Sequence, residues 1–151
     1  MDGLHEMEAA LSEFTKGTGR NILKRAALKA IEPMAQEMAR RAPVQKGGGH
    51  DLQKSIQATD KLNKRQKKLN RQPSTIEVYA GPTADAGDLA APPQGIFQEF
   101  GTENHGPQAF ARPTWDAGNR ALLDRTADSL GSEIEKSRQR AARKALKPKG
   151  T

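Results

Sequence analysis

The stretch that decides the fold reads RNILKRAALKAIEPMAQEMARRA and covers residues 20–42. Apolar residues recur in it every four positions, and a second apolar row lies beside the first. The first row is Ile22, Ala26, Ala30, Met34, Met38 and Ala42, and the second row is Leu23, Ala27, Ile31 and Ala35. This spacing puts both rows on one face of an α-helix. We therefore predict a long amphipathic helix from about Arg20 to Ala42.

Glycine and proline mark the limits of this helix. Residues Gly17–Gly19 separate it from a shorter helical pattern between Leu4 and Phe14. Pro43 ends it, because the residue before a proline is pushed out of the α conformation. Pro33 lies inside the pattern and lacks a backbone donor, so we expect either a kink near Ala30 or a break into two helices.

Two strand patterns follow the helix. The first is Leu52–Thr59, and the second is Thr75–Ala80, in which apolar and polar residues alternate and β-branched residues are enriched. The residues between them would connect a β-hairpin. Gly47–Gly49 reads as a hinge, and Gly81–Pro93 holds too many glycines and prolines for a regular element. The sequence thus predicts a small antiparallel sheet.

A second long helix begins at Arg112, because a proline, here Pro113, is tolerated in the first turn of a helix. Its predicted apolar face comprises Trp115, Leu122, Leu123, Ala127, Leu130 and Ile134. Beyond these residues we expect an unpacked basic extension. The predicted fold class is α+β, with a small antiparallel β-sheet packed against a long N-terminal helix and a long C-terminal helix. We assign residues 1–135 to one domain and residues 136–151 to the extension.

Charge is concentrated in two segments of the chain. The 151 residues carry 25 Lys+Arg and 18 Asp+Glu, and the seven surplus positive charges all follow Glu135. This basic tail contains Lys136, Arg138, Arg140, Arg143, Lys144, Lys147 and Lys149, and a second cluster contains Lys61, Lys64, Arg65, Lys67, Lys68 and Arg71. Such runs fit a solvated face, an acidic surface on a neighbouring protein, or a nucleic-acid backbone contacted without sequence preference.

Several classes of protein are excluded or disfavoured by composition. There is no cysteine, so disulfides, thiol nucleophiles and cysteine-based zinc sites are ruled out. Apolar runs fall far short of the roughly 18–20 residues that span a bilayer. The N-terminus lacks the features of a signal peptide, so we expect the protein to be assembled in a cytoplasm. No frame typical of a nucleophilic enzyme or of a phosphate-binding loop is present.

One group of side chains could in principle hold a metal ion. Glu99, Glu103 and His105 lie close together in sequence, whereas a metal site needs three or four convergent ligands. We favour ordinary hydrogen bonds for these residues and expect no metal, no cofactor and no catalysis. A metal-dependent nuclease using them is the weakest of the alternatives.

The segment Ile96–Thr102 carries two aromatic residues next to a glycine. Phe97 and Phe100 are three residues apart and cannot lie on one face of a strand. We therefore expect a bend or bulge before Gly101, with one ring in the core and the other available to a neighbour. Arg112 is placed to pair with Glu99. These residues either hold the sheet to the helix or contact another protein.

Four segments together resemble a known family, the small neck proteins of long-tailed phages (siphoviruses), typified by the gene-ten product of the HK-type lambdoid phages. They are Ala42–Val44, Asp51–Ile56, Ile96–Thr102 and Pro107–Trp115. In order and spacing the resemblance covers about residues 20–135. The glycine turn, the Lys61–Arg71 segment and the basic tail depart from the family pattern.

The resemblance implies a non-enzymatic α+β protomer that assembles into a ring, a hexamer, in the head–tail neck of the virion. The implied partners are the tail tube or tail terminator protein and the head connector or head-closure protein, with DNA in the channel and no membrane. The alternatives are a tail terminator and a sequence-nonspecific nucleic-acid-binding protein. The expected interface residues are Phe97, Glu99, Phe100, Gly101, Thr102, Phe110, Arg112 and Trp115.

Overall fold

The computed structural model of the chain describes residues 2–44, 52–62, 67–68, 76–83 and 94–146. Three longer helices, two short helices and two strands follow one another along these residues. They are α1 (Asp2–Ser12), α2 (Lys16–Arg41), α3 (Leu52–Ser55), β1 (Ile56–Thr59), β2 (Tyr79–Pro82), α4 (Gln94–Phe100) and α5 (Ala111–Ala145). The predicted α+β class is confirmed, with helix as the larger share.

Helix α2 is the central element, and the predicted apolar stripe is its buried face. The buried residues are Ile22, Ala26, Ala30, Ile31, Met34, Ala35 and Met38. The helix begins earlier than predicted, because the Thr15 hydroxyl accepts a hydrogen bond from the Thr18 amide and caps the first turn. Gly17 and Gly19 therefore lie inside α2, and the separation from α1 falls at residues 13–15. The predicted end before Pro43 is confirmed.

Of the two alternatives expected at Pro33, the break into two helices does not occur, because α2 continues through this residue. The kink near Ala30 stays a prediction. Pro33 and Lys29, four residues earlier, are both exposed. The Lys29 carbonyl loses its helical donor to the proline, and it belongs to the exposed side of the helix. Water can satisfy it, so the helix passes the proline without breaking.

Helix α5 packs along α2 and joins it to the rest of the molecule through two buried clusters. One contains Met38, Ala42, Leu52, Ile56 and Phe110, and the other contains Ala10, Ile22 and Ile134, with α1 covering it. Trp115 and Leu123 were expected on the apolar face of α5 but are 50% and 72% exposed. A helix of 35 residues against one main neighbour buries only a narrow stripe.

The two strands pair antiparallel, as predicted, with Ile56 opposite Pro82 and Thr59 opposite Tyr79. Their limits differ from the prediction. The first four residues of the expected strand, Leu52–Ser55, form α3 instead. The second strand begins only at Tyr79 and takes in Gly81 and Pro82, which were expected in a loop. In a two-stranded sheet every strand is an edge strand, where proline is tolerated.

The largest departure from prediction is residues 94–100, which form a helix and not a bent strand. Gly95 and Glu99, four residues apart, are buried, whereas Ile96, Phe97 and Phe100 are exposed. Glycine is needed on the inner face, because a Cβ atom at Gly95 would lie 2.8 Å from the Pro82 side chain. Helix α4 therefore packs against the end of β2.

Some predictions fall outside the described residues. These are the Gly47–Gly49 hinge, most of the Gly81–Pro93 loop, Lys64, Arg65 and Arg71 of the first basic cluster, and Lys147 and Lys149 of the tail. The division at residue 135 stays a prediction; α5 runs unbroken across it. Within the residues that the structure describes, no helix is long and apolar enough to cross a membrane.

Candidate interaction surface at the junction of two helices

Gly101 ends α4 and reverses the chain. Its φ of 80° is in the left-handed region, and its amide donates to the Phe97 carbonyl over 2.8 Å, which is a common way for a helix to end. A Cβ atom here would lie 2.9 Å from the Pro107 nitrogen and 3.0 Å from the His105 carbonyl oxygen. Only glycine fits this turn without displacement of the backbone.

Two backbone hydrogen bonds carry the reversed chain back along α4. The Thr102 amide donates to the His105 carbonyl over 2.9 Å, and the Gln108 amide donates to the Gln98 carbonyl over 2.7 Å. The start of α5 is thereby brought beside Glu99, although 11 residues separate Glu99 from Phe110 in sequence.

Glu99 caps the N-terminus of α5 from another helix. Its carboxylate accepts hydrogen bonds from the amides of Phe110 and Ala111, each at 2.8 Å, and of Arg112 at 3.0 Å. Pro113, the next residue, has no amide hydrogen. The first amides of a helix have no partner inside it and carry partial positive charge, so a carboxylate at this place is stabilising. The N-cap residue of α5, Phe110, makes no side-chain capping hydrogen bond, so Glu99 supplies the cap from α4.

Arg112 lies on the outer side of the junction between the end of α4 and the start of α5. Its Nε donates to the Glu99 carboxylate over 3.0 Å, and its Nη2 donates to the Glu99 backbone carbonyl over 3.1 Å. The guanidinium carbon lies 4.9 Å from the centroid of the Phe100 ring, within the range of a cation–π contact. One arginine thus fixes both the buried carboxylate and an exposed aromatic ring, as predicted for the Glu99–Arg112 pair.

The surroundings of Glu99 favour its charged form. Burial by itself raises the pKa of this carboxyl, since it disfavours the charge. The hydrogen bonds from the amides of Ala111, Arg112 and Phe110 and from the Arg112 side chain outweigh that effect and hold the pKa of Glu99 below its ordinary value. The carboxylate is ionised at neutral pH and serves as a structural anion.

Four large apolar side chains are exposed around this junction. Ile96, Phe97 and Phe100 on α4 are 64%, 48% and 63% exposed, and Trp115 on α5 is 50% exposed. Residues 96, 97 and 100 share one helical face, and Trp115 follows Arg112 by one turn of α5. We call these four residues the aromatic surface. Its helices are held by Glu99 and Gly101, so its shape is set before any partner binds.

The structure brings some of the predicted interface residues to this surface and takes others away from it. Phe97, Phe100, Arg112 and Trp115 lie at or beside it. The expectation that one of the two rings enters the core is wrong, because a helix places both outside. Phe110 is 1% exposed and belongs to the core. Glu99, Gly101 and Thr102 form the cap and the turn that support the surface.

Ile96 was missed as an interface residue. The signal that could have found it is the helical spacing of residues 96, 97 and 100, which becomes visible only once the segment is taken as a helix.

The three side chains considered for a metal ion do not converge on one. The Glu99 oxygens already accept from the amides and from Arg112, and the His105 Nδ1 lies 2.8 Å from the Gly106 carbonyl oxygen. In the part of the chain that the structure describes, no group of three or more metal-ligating side chains is found.

The basic residues of the tail and of the first cluster divide into those that form an ion pair and those that form none among the described residues. The Nε and Nη2 atoms of Arg138 donate hydrogen bonds to the Glu13 carboxylate over 3.0–3.2 Å. Exposed cations of the tail and of the first cluster are Arg140, Arg143, Lys144, Lys61, Lys67 and Lys68. These two groups could not be distinguished from the sequence, because the distinction depends on a contact with α1.

A second buried glutamate lies at the opposite end of the helix pair. Glu133 on α5 accepts a hydrogen bond from Arg25 Nε on α2 at 2.8 Å and from Lys136 at 3.4 Å. The Arg25 hydrogen bond lowers the pKa of Glu133, against the effect of burial, and Lys136 lowers it further. Arg25 also donates to the Ser137 hydroxyl over 3.4 Å.

The family can now be identified. A family model described as "Bacteriophage HK97-gp10, putative tail-component" matches residues 5–101, more than half of the chain. The chain belongs to the HK97-gp10-like family. The resemblance found in the sequence is thus confirmed. The match begins earlier than the predicted span of residues 20–135 and ends at Gly101, so that Phe110, Arg112 and Trp115 lie beyond it.

Membership of the HK97-gp10-like family makes the protein a structural component of the phage tail and places it in the virion. No curated protein and no solved structure matches the chain significantly.

Proposed function

We propose that the protein forms a closed ring in the neck of a long-tailed phage and joins the tail tube to the head connector. DNA passes through the channel of this ring. The ring has no catalytic role and binds no cofactor. One face meets the tail tube or the tail terminator protein, and the other meets the head connector or the head-closure protein.

The aromatic surface is the observation that carries this proposal. Large apolar side chains that are exposed together on the surface of a protein often mark a site where another molecule binds. The cores of protein interfaces are enriched in aromatic residues and arginine, which is the composition found around Phe100 and Arg112. Because the junction is already ordered by Glu99, little conformational entropy is lost when a partner binds.

A ring follows if this surface contacts a different surface on the next copy of the chain. Such a head-to-tail contact closes into a ring when the rotation between copies divides a full turn. The sequence resemblance to neck proteins supports six copies. A symmetric dimer, in which the aromatic surfaces of two copies contact each other, would instead occupy both surfaces and end assembly at two copies.

The experiment is to measure the mass of the purified protein by mass photometry and then to image it by cryo-electron microscopy with tail tubes and with head connectors of the same phage. We expect particles of six times the 16.4 kDa chain mass, bound at one end of each tube and able to bind the connector.

A protein that stays monomeric and joins neither structure contradicts the proposal. A ring that binds only the tube and limits its length would instead make the protein a tail terminator. A monomer that binds only nucleic acid would support the sequence-nonspecific nucleic-acid-binding alternative.

A further inference from the structure

The last turns of α5 form a basic helix end with no neighbour in the described part of the chain. Helix α5 continues from Arg138, which is bound to Glu13, to Ala145, a length of about 10 Å at ~1.5 Å per residue. Every residue from 138 to 146 is exposed. Arg140, Arg143 and Lys144 are spaced three and four residues apart and so lie on one side of the helix.

The two basic segments are each attached to α2, at neighbouring positions of that helix. Lys24 on α2 forms an ion pair with Asp60, the residue before Lys61. Arg25, the next residue of α2, is bound to Glu133 and Ser137, just before Arg138. The segment around Asp60 and the segment around Ser137, about 75 positions apart in sequence, are thus attached to consecutive residues of α2. Lys61 is exposed and belongs to the same end of the molecule as the basic helix end.

The chemistry of this region decides between its possible partners. The positions between the cations are Ala141 and Ala142, and the one large apolar side chain among residues 140–146 is Leu146, which is 83% exposed. The cores of protein interfaces are enriched in clustered aromatic residues, and this face has no such cluster. It contains no aromatic residue, so it has nothing on which the bases of a single strand could stack. What it offers is a row of guanidinium and ammonium donors, which suits phosphate groups.

We propose that Arg140, Arg143 and Lys144, together with Lys61, bind the phosphate backbone of double-stranded DNA without reading its sequence. Arg138 and Lys136 are not part of the site, because Glu13 and Glu133 hold them. The proposal rests on the proposed function in one respect only, since the neck channel is where the protein would meet DNA. The binding itself is a property of the full-length chain and is measured on it.

The test measures binding of the full-length protein to a blunt DNA duplex of random sequence by fluorescence anisotropy, between about 50 and 200 mM salt. The slope of log affinity against log salt is negative. Combining Arg140→Ala, Arg143→Ala and Lys144→Ala should make it shallower by about 2.7, since each lost phosphate contact contributes about 0.9. Lys61→Ala alone should make it shallower by about 0.9.

The matched control combines Lys29→Ala, Arg40→Ala and Arg120→Ala. These three side chains are also exposed, so the control removes the same charge from other places, and we expect an unchanged slope. Circular dichroism of each variant checks that it is folded.

Three results would overturn the proposal. In the first, the folded wild type does not bind the duplex. In the second, both triple variants reduce the salt dependence equally. In the third, polyglutamate displaces the duplex as effectively as unlabelled DNA does. The last result would identify an acidic protein surface as the partner. The mass of each variant is measured in parallel, so that loss of the ring and loss of DNA binding are recognised separately.

Discussion

The two ends of the helix pair each contain a buried glutamate, and the two glutamates are held differently. Glu99 is bound mainly by three backbone amides of α5, with one arginine on the outside. Glu133 is bound by the side chains of Arg25 and Lys136, which are 43% and 49% exposed. In both, hydrogen bonding keeps the pKa of the carboxyl below its ordinary value.

The difference lies in what the partners can do. Backbone amides of a helix cannot turn away from a carboxylate, so Glu99 fixes the angle between α4 and α5 and with it the aromatic surface. Long cationic side chains can exchange a carboxylate for water or for another anion at small cost. We infer that the Glu99 end is built to present one fixed apolar shape, and that the Glu133 end is built to present charge that adapts.

The largest expected effect is that of Glu99→Ala. It removes the acceptor of three helix amides and leaves the Arg112 Nε without its carboxylate partner. Buried donors left unpaired cost about 1–3 kcal/mol, so we expect the free energy of unfolding to fall by about 3 kcal/mol in a denaturant titration. Glu103→Ala, at an exposed position, is the control and should change it by less than about 0.5 kcal/mol. Equal effects would contradict the comparison.

The lowered pKa of Glu99 predicts that the free energy of unfolding depends on pH. Because folding lowers the pKa of Glu99 from 4.5, its stabilisation is complete above that pH and is lost as the pH falls through the lower pKa of the folded state. Glu99→Gln should therefore lose less stability than wild type when the pH falls below 4.5. Unfolding curves at a series of pH values test this, and parallel losses in the two proteins would refute it.

Next in size is Gly101→Ala. Alanine in the left-handed conformation costs about 1–2 kcal/mol, and its Cβ would meet the backbone at Pro107 and His105. We expect a loss of about 2 kcal/mol in the free energy of unfolding. Gly106→Ala is the matched control in the same turn, because a Cβ there meets nothing within 4 Å. If both variants are equally stable, the turn does not hold the junction.

Arg25→Ala tests the opposite end and should cost less. Its side chain is 43% exposed, and Glu133 keeps Lys136 as a partner, so we expect a loss of about 1 kcal/mol. The pKa of Glu133 should rise, since the Arg25 hydrogen bond is the main cause of its lowering. An NMR titration of the Glu133 carboxyl measures this, with Arg20→Ala as the control. An unmoved pKa would contradict the assignment.

The smallest effect is expected for Arg138→Ala. The Arg138 and Glu13 side chains are 44% and 58% exposed, and exposed ion pairs contribute about 0–1 kcal/mol. We expect a loss below about 0.5 kcal/mol that disappears in high salt. Thermal unfolding at low and high salt checks this. A loss as large as that of Glu99→Ala would show that the two ends do not differ.

The sequence was sufficient to predict elements that are determined by local features of the chain. The stripe from Ile22 to Met38 predicted α2, and Pro113 predicted the start of α5, because helical spacing and the missing proline donor are local properties. The pairing of Glu99 with Arg112 was also predicted correctly. Its larger consequence, the capping of α5 by a carboxylate of α4, was not predicted, since it depends on the turn at Gly101 bringing distant residues together.

The prediction failed where an element is short. Seven residues at 94–100 contain too few apolar positions to distinguish a helix from a bent strand. The error had a consequence for the site, because it placed one of the rings of Phe97 and Phe100 in the core. Phe110, which does fill the core, was assigned to the interface together with the other residues of the family-like motifs, and its burial was not predicted. In each case the face on which a side chain lies was set by packing against β2 and α2.

The central claim is that the aromatic surface joins copies of this chain into a ring. The most direct test is the particle mass of the Phe97→Ser, Phe100→Ser double variant, measured by mass photometry. Wild type and a Leu123→Ser variant are measured beside it, the latter as a control that alters a more exposed apolar residue on α5, outside the aromatic surface. The account predicts rings for wild type and for the control, and folded monomers for the double variant. A double variant that forms rings of wild-type mass would contradict it.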